Sequence, residues 1–596
     1  MTATIASLVA DHLDLWTSAT QRKSGAGRGA KGVGGKRIRL YGIERLRALI
    51  LDLAVRGKLV PQDTGDEPAS TYLVTASQRV DAASAKGRRK QILPSPDESL
   101  ELPSGWSPTH LGSIVDIVRG ITFPGSEKSK TPEFGRVACL RTSNVQDQIE
   151  WDDILYIRDK FVARADQYVQ KNDIIISMAN SRELVGKVAI IERDPETPTA
   201  FGGFLAAIRA RSVDPGFLMT FLRCPATKAQ LIDDASQTTN IANISLSKLN
   251  PLPIPLPPLA EQRRIVAKVD ELMALCDALE RESADAMAAH QALVEALLTT
   301  LVTSADAAEL ATNWARLEQH FDTLFTTEAS IDALKQTILD LAVRGALVAG
   351  VEAKDKSRSA VDLASKAKKA MSTAEGLRAR TPVARDKLAR PEDTFPSHWT
   401  FTDFDSVFVT VSGVTKGQKI SPSEAIEAPY LRVANVQRGQ LDLDEMKTIT
   451  VKHSDFKRYQ LHDGDVLMTE GGDWDKLGRA AIWRNEVPNC IHQNHVFRVR
   501  FEQNAILPEW VVLFVNSPLG REFFSRAAKQ TTNLASINMT QLRSCPIPIP
   551  AYTEQHRIVA KVDALMALCD ALKARISDAA TTQKHLADAI TERAAA

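Results

Sequence analysis

Apolar residues recur every three or four positions along two long stretches, and the two stretches are nearly identical. Residues 261–279 read EQRRIVAKVDELMALCDAL and residues 554–572 read EQHRIVAKVDALMALCDAL, an offset of 293. The first stripe runs through Ile265, Val269, Leu272, Cys276, Leu279, Ala286, Leu293 and Leu297. The second runs through Ile558, Val562, Leu565, Cys569, Leu572, Ile576, Ala579, Leu586 and Ile590. Spacings that alternate four and three mark the seam of a coiled coil, interrupted in the first stretch by Ser283 and His290. Such a stripe must be buried, and a long fixed period signals two copies of one unit.

The surroundings repeat in islands. Ile50 opens ILDLAVRGKLV and Ile338 opens ILDLAVRGALV; Leu140 opens LRTSNVQ and Leu431 opens LRVANVQ. Gln237-Thr238-Thr239-Asn240 returns as Gln530-Thr531-Thr532-Asn533, and Pro253-Ile254-Pro255 as Pro546-Ile547-Pro548. Between the islands the halves diverge, as expected of a duplicated scaffold carrying two different inserts. Ile43, Leu46, Ile50, Leu53 and Ala54 predict a helix over 43–59 that stops near Gly57, and its repeat stops near Gly345. In the first insert, 174–176 and 188–191 predict strands joined through Gly186, and 217–232 predicts a helix. In the second, 466–468, 480–483 and 496–499 predict strands. The proline-rich 252–258 must run extended up to the long helix. Residues 299–347 are predicted to continue helical, while 61–100 and 350–393 read as polar linkers.

Two stripes of one pattern in one chain can bury each other. A helix of about 40 residues spans about 60 Å, and an antiparallel pair would hold one insert at each end. The expected fold is α+β, with an internal pseudo-twofold duplication. Two similar heads at a fixed distance suit a bipartite target such as two DNA half-sites about 34 Å apart.

Composition changes this picture little. The chain has 596 residues, a formal net charge of +1, 44% hydrophobic and 25% charged residues. These values are ordinary for a globular protein. No run of about 18 apolar residues predicts a membrane span. The N-terminus lacks the basic start of a signal peptide. Six cysteines without a C-x-x-C pair read as reduced thiols in a cytoplasmic protein. Residues 21–40 carry seven basic residues and no acids, and 1–40 read as a flexible basic leader. The G-x-G-x-x-G at Gly27, Gly29 and Gly32 lacks the strand and helix a nucleotide site needs.

The search for catalytic chemistry finds none. No Walker A loop, H-E-x-x-H or cysteine metal site is present. Asn250-Pro251-Leu252-Pro253 lacks the aromatic of an N-P-P-[YF] methyltransferase motif. Glu470-Gly471-Gly472-Asp473 reads as a glycine-bent loop rather than an acid–base pair. A fused methyltransferase-nuclease would need those motifs, and a pure coiled-coil protein would not need two inserts of about 150 residues, a full domain each.

The EQ-x-RIVAKVD-x-LMALCDAL blocks, ASIDALKQTILDLAVRG at Ala329, NWARLEQHFDTLF at Asn313, MANSRELVGKVA at Met178, FGGFLAAIRAR at Phe201, TEGGDWDKLGRAAIW at Thr469 and CIHQNHVFRVR at Cys490 together resemble the specificity subunits of Type I restriction-modification systems. The resemblance covers most of 41–596. It implies a non-catalytic subunit with target-recognition domains at 102–256 and 395–550. Conserved helical regions would lie at 41–60, 257–349 and 551–596, with linkers at 61–101 and 350–394. It implies double-stranded DNA as partner, each domain reading half of an asymmetric bipartite site. It also implies one such subunit per complex, binding two methylation subunits, which hold S-adenosylmethionine, and restriction subunits, which use ATP and Mg. The helices would fix the spacer and dock the methylation subunits, through Ile265, Val269, Leu272, Leu279, Ile558, Val562, Leu565 and Leu572. Side chains able to read base edges or phosphates are Asn180, Ser181, Arg182, Gln237, Thr238, Thr239 and Asn240 in the first domain. In the second they are Asp473, Trp474, Lys476, Arg479, Gln493, Asn494, His495, Gln530, Thr531, Thr532 and Asn533. The repeated Q-T-T-N is too alike in both copies to give two specificities, and a shared turn is its plainer role. Arg182, Lys476 and Arg479 differ between copies and suit base readout better.

Overall fold

The apolar spacing at Ile43, Leu46, Ile50 and Leu53 folds as helix α1, Tyr41–Val55, with all four side chains buried. Its repeat folds as α3, Glu328–Val343. Both stop at a glycine in the left-handed region, Gly57 (φ +67°) and Gly345 (φ +72°), where a side chain would be strained. The two seams fold as α2, Leu259–Val302, and α4, Tyr552–Ala595, of 44 residues each. At 1.5 Å per residue each is about 66 Å long. The computed structural model describes residues 5–18, 20–21, 39–73, 101–181, 184–233, 236–238, 241–348, 354–378, 380–383, 395–417, 420–472, 476–531 and 534–595.

The chain divides into two units, 1–286 with 579–596, and 287–578. In the first unit the leading half of α2 and the final turns of α4 share a core with α1: Ile265, Val269, Leu272 and Cys276 are buried with Ile43, Leu46, Ile50 and Ala587. Arg47 of α1 pairs with Asp277 at 2.6 Å, and Tyr41 donates to Asp588 Oδ1 at 2.6 Å. In the second unit the leading half of α4 and the final turns of α2 share a core with α3: Ile558, Val562 and Cys569 are buried with Val294, Leu298, Ile331, Leu334 and Ile338. There Lys335 pairs with Asp570, the repeat mate of Asp277. Each unit thus joins the leading half of one long helix to the trailing end of the other. Each fully buried aliphatic side chain of these seams contributes about 1.5–3 kcal/mol.

Two features of the seam differ from expectation. A short helix, α1 or α3, shares each core, so the stripes are not covered by each other alone. The stripe also shifts by one residue along each helix. Leu293 and Leu586 are exposed (52% and 50%), while Val294 and Ala587 are buried. An ideal helix drifts about 20° per heptad against a 3.5 repeat, so after three heptads the neighbouring position faces inward. The helical expectation over 299–347 is met by separate helices: α2 ends at Val302, and Ala307–Gln319 and Phe321–Leu324 precede α3.

Each head is built on a four-stranded antiparallel sheet. The first has the order Val115–Arg119, Leu205–Ala210, Ile174–Ser177, Val188–Ile190; the second has Val409–Ser412, Val496–Arg500, Val466–Thr469, Ala480–Ile482. The predicted strands occupy matching places in the two sheets. All four residues of Ile174–Ser177 and of Val466–Thr469 are buried. The proline-rich segments run extended, Pro253–Leu256 beside Ser107–His110 and Pro546–Ile549 beside Thr400–Asp403. The repeated Glu-Gln that opens each long helix also has a physical reason. Buried Gln262 accepts from Asp214 N at 2.7 Å, and buried Gln555 from Leu507 N at 2.8 Å, tying each head to its helix.

Three segments depart from the sequence reading. The predicted helix 217–232 is two helices, Pro215–Arg223 and Pro225–Asp233, broken where Pro225 cannot continue the first. The leader is not uniformly flexible: Ile5–Asp11 and Leu13–Ser18 are helical, and Trp16 is fully buried against Gly42. The basic residues from Arg22 to Arg37, with Gly27, Gly29 and Gly32, lie outside the described residues. The second linker contains a helix, Lys354–Ala374, ordered on its head. Just beyond it, Glu375 pairs with Arg498 and Arg500, and Asp405 receives Lys368 and Arg543. In the first linker Asp66 pairs with Arg264 at 2.6 Å and Tyr72 donates to Pro257 O, while 74–100 lie outside the described residues.

Candidate nucleic-acid interface

In each head the central buried strand runs on into a small second sheet. Strand β1 (Ile174–Ser177) leads to β2 (Ala179–Asn180), which pairs with β4 (Ile241–Asn243), itself paired with β3 (Ser236–Thr238). In the second head β5 (Val466–Thr469) leads to β6 (Gly471–Gly472), which pairs with β8 (Leu534–Ser536), itself paired with β7 (Lys529–Thr531). The first two residues of each Q-T-T-N therefore end the outer strand of a sheet whose middle strand pairs with the strand that carries Asn180 or the double glycine. Two groups of candidates about 60 residues apart in sequence meet in one sheet: Ala242 pairs with Asn180, and Ala535 with Gly472.

The individual candidates fall as follows. Asn180 lies on β2, and Ser181 follows it, exposed. Gln237 and Thr238 lie on β3, and Gln530 and Thr531 on β7. Arg182, Thr239, Asn240, Asp473, Trp474, Thr532 and Asn533 lie outside the described residues. Lys476 is exposed. Gln493, Asn494 and His495 form the turn before Val496–Arg500; Asn494 N donates to Val414 O at 3.0 Å, and exposed His495 meets Glu470 Oε2 through Nδ1 at 2.7 Å. His492, immediately before, is wholly buried, and burial pushes its pKa down to about 3, so the ring is neutral.

Arg479 has a positioning role that its sequence context did not reveal. Half-buried, it donates through Nη1 to Gln437 Oε1 at 2.5 Å, holding the loop that follows the L-R-V-A-N-V-Q island. The first head repeats the arrangement with Lys187, whose Nζ donates to Gln146 Oε1 at 2.6 Å. Asn144 and Asn435 brace these loops in the same way, accepting from Arg141 N and Arg432 N. The held tips differ: Asp147-Gln148 in one head and Arg438-Gly439-Gln440 in the other. Beside the second tip is an open cleft of about 700 Å³ lined by Gln437, Arg438, Gln440, Asp442, Asp444 and Arg479. Sequence reasoning passed over Lys187, Gln146 and Gln437, although the two NVQ islands marked both glutamines.

The seam residues Ile265, Val269, Leu272, Ile558 and Val562 are buried in the cores of their own units, with Leu279, Leu565 and Leu572 partly buried against those cores. The outward faces of the same helices carry Leu275 and its repeat mate Leu568, exposed by 39% and 62%. All six cysteines are buried, and none forms a disulfide. Among the described residues no helix is long and apolar enough to cross a membrane, and no cluster of three or more His, Cys, Asp or Glu could hold a metal ion.

Residues 103–286 and 396–582 match the family described as Type I restriction modification DNA specificity domain. The chain is 33% identical to the Type I restriction enzyme EcoEI specificity subunit of Escherichia coli and 32% identical to the EcoAI specificity subunit of the same organism, in each case over 99% of both chains. Among solved structures, the HsdS subunit from Thermoanaerobacter tengcongensis is similar at 17% identity with a TM-score of 0.38, covering 83% of this chain and 98% of that one.

Proposed function

Because the chain belongs to the Type I restriction-modification DNA specificity family, as a specificity component rather than an enzyme, we propose that its two heads each read one half of an asymmetric bipartite DNA sequence. The observation that carries this reading is the pairing of a shared framework with unlike surfaces. The central sheets, small sheets and held loops correspond strand for strand. At equivalent surface positions the side chains differ: Asp147 against Arg438, Lys187 against Arg479, Phe204 against His495. A single duplicated fold with two different recognition surfaces suits two different half-sequences.

In this reading Asn180, Ser181, Arg182 and the held loop contact the first half-site. Trp474, Lys476, Gln493, Asn494 and His495 contact the second. Thr238, Thr239 and Asn240, and Thr531, Thr532 and Asn533, meet phosphates, which position the protein without specifying sequence. The long helices set the spacer. Their outward faces dock two methylation subunits, the source of the S-adenosylmethionine site. Restriction subunits, which use ATP and Mg, join through them. One copy of this chain then directs both methylation and cleavage in the cytoplasm.

The test is a binding titration of the full chain assembled with its methylation subunits, at fixed salt. Duplexes would carry the intact site, or one half scrambled. Scrambling either half should cost at least about 10-fold, since each lost base contact is worth about 1–3 kcal/mol. Equal affinity for the intact duplex and for either half-scrambled duplex would refute the reading.

A further inference from the structure

We infer that the exposed ring at the turn before the inner strand of each head is a base-reading position, and that Phe204 takes the 5-methyl group of a thymine in the first half-site. The inference rests on the half-site reading above.

The two turns, Gly202-Gly203-Phe204 and Gln493-Asn494-His495, are structurally equivalent. Each is fixed by a parallel bridge, Ile121 to Gly202 and Val414 to Gln493. Met178 N donates to Phe204 O at 2.8 Å, and Glu470 N to His495 O at 2.9 Å. The same two residues accept from the small sheet: Ile244 N donates to Met178 O at 2.8 Å, and Ile537 N to Glu470 O at 2.9 Å. Each ring therefore sits where the central sheet joins the sheet carrying the other candidates.

The fold does not need a phenyl group here. Phe204 is 69% exposed, whereas Phe201, three residues earlier, is wholly buried. The second head builds the same turn with His495. A phenyl ring left in water at one copy only, on a head with a polar candidate surface, points to a partner. The residue beside the ring changes character with it: Met178 accompanies Phe204, while Glu470 accompanies His495 and binds its Nδ1 at 2.7 Å. One head thus offers an apolar pair and the other a hydrogen-bonding pair at one position.

The chemistry of duplex DNA selects the target. Base faces are stacked and base edges are polar, except for the thymine 5-methyl in the major groove. A phenyl ring cannot hydrogen-bond, so this methyl is the edge group it can distinguish. His495, bound to Glu470 through Nδ1, keeps Nε2 for a polar base edge such as that of guanine.

The experiment pairs protein and DNA changes. The full chain, assembled with its methylation subunits, is titrated with duplexes in which each thymine of the site is replaced singly by deoxyuridine, which lacks only the methyl. Wild type should lose about 3–5-fold at one thymine, the worth of one buried methyl. Phe204→Ala should lose a similar factor on the thymine duplex and show no further loss on that deoxyuridine duplex. Phe204→Leu, still apolar, should keep part of the sensitivity. The melting midpoint of Phe204→Ala should match wild type, because the side chain is exposed. The inference is overturned if Phe204→Ala retains wild-type sensitivity to deoxyuridine at every thymine, if it loses affinity equally on all duplexes, or if wild type is insensitive throughout while still preferring the bipartite site. A wild-type assembly with no preference for any bipartite sequence would instead overturn the half-site reading.

Discussion

Adding one methyl group at Gly413 should disable one head and leave the other working. A Cβ built there would lie 1.9 Å from His492 O and 2.5 Å from His492 C, both backbone atoms. Ordinary contact begins near 3.4 Å, so the two segments must part by more than 1 Å. Parting would break Val414 N to His492 O (2.8 Å) and Asn494 N to Val414 O (3.0 Å), the bonds that set the turn carrying His495. Two buried backbone hydrogen bonds left unmade cost about 2–4 kcal/mol. At about 2 °C per kcal/mol for a unit of this size, the melting midpoint of the second unit should fall by about 4–8 °C. Gly120 is the repeat mate: its Cβ would lie 2.2 Å from Gly202 O, beside the turn carrying Phe204. The assay is binding by the assembled complex to duplexes with either half scrambled. Gly413→Ala should abolish the penalty for scrambling one half, and Gly120→Ala the penalty for scrambling the other. If both variants affect both halves equally, or if neither changes melting or discrimination, the account of independent heads on a shared framework is wrong.

Two further outcomes are expected. Arg479→Leu and Lys187→Met each release a loop held by a charge-assisted hydrogen bond worth about 1.5–3 kcal/mol. Each should lower discrimination in its own half-site about 10-fold while leaving non-specific affinity and its salt slope unchanged, as measured by titration at several salt concentrations. Burial alone would raise the Asp405 carboxyl, but Arg543, the backbone N–H of Val383 and Lys368 outweigh it and hold the group below the usual carboxylate range. A depressed carboxylate contributes stability above about pH 4 that is lost as the pH falls through its folded value. Asp405→Asn should therefore lower the melting midpoint at neutral pH and flatten its fall between about pH 5 and pH 2. Parallel pH profiles for variant and wild type would refute this.

The framework was legible because it is duplicated. The seams, the proline-rich strands and the glycine stops recur at nearly one offset, and each has a simple physical reason. What was not legible depends on tertiary context. The shift from Leu293 to Val294 follows from helix drift and from a change of neighbours along the helix, neither visible in a heptad pattern. The helix Lys354–Ala374 reads as a polar linker because large apolar groups are few; Ala360 and Ala364, with Ser357, form its buried face. The meeting of Asn180 with Ala242, on the strand that follows the Q-T-T-N, is a sheet pairing across about 60 residues. Phe204 escaped notice because polar side chains were sought for base readout, and only its exposure distinguishes it from a core phenylalanine.

The central claim, two unlike readers held a set span apart by paired rods, is tested most directly by genome-wide mapping of modified bases. Hosts would carry either the wild-type chain or one with four residues inserted at the repeat-mate positions after Ala286 and after Ala579, both exposed. Four helical residues add about 6 Å, against about 3.4 Å per base pair. The account predicts the same two half-sequences separated by one or two more base pairs. An unchanged spacer, or altered half-sequences, would contradict it.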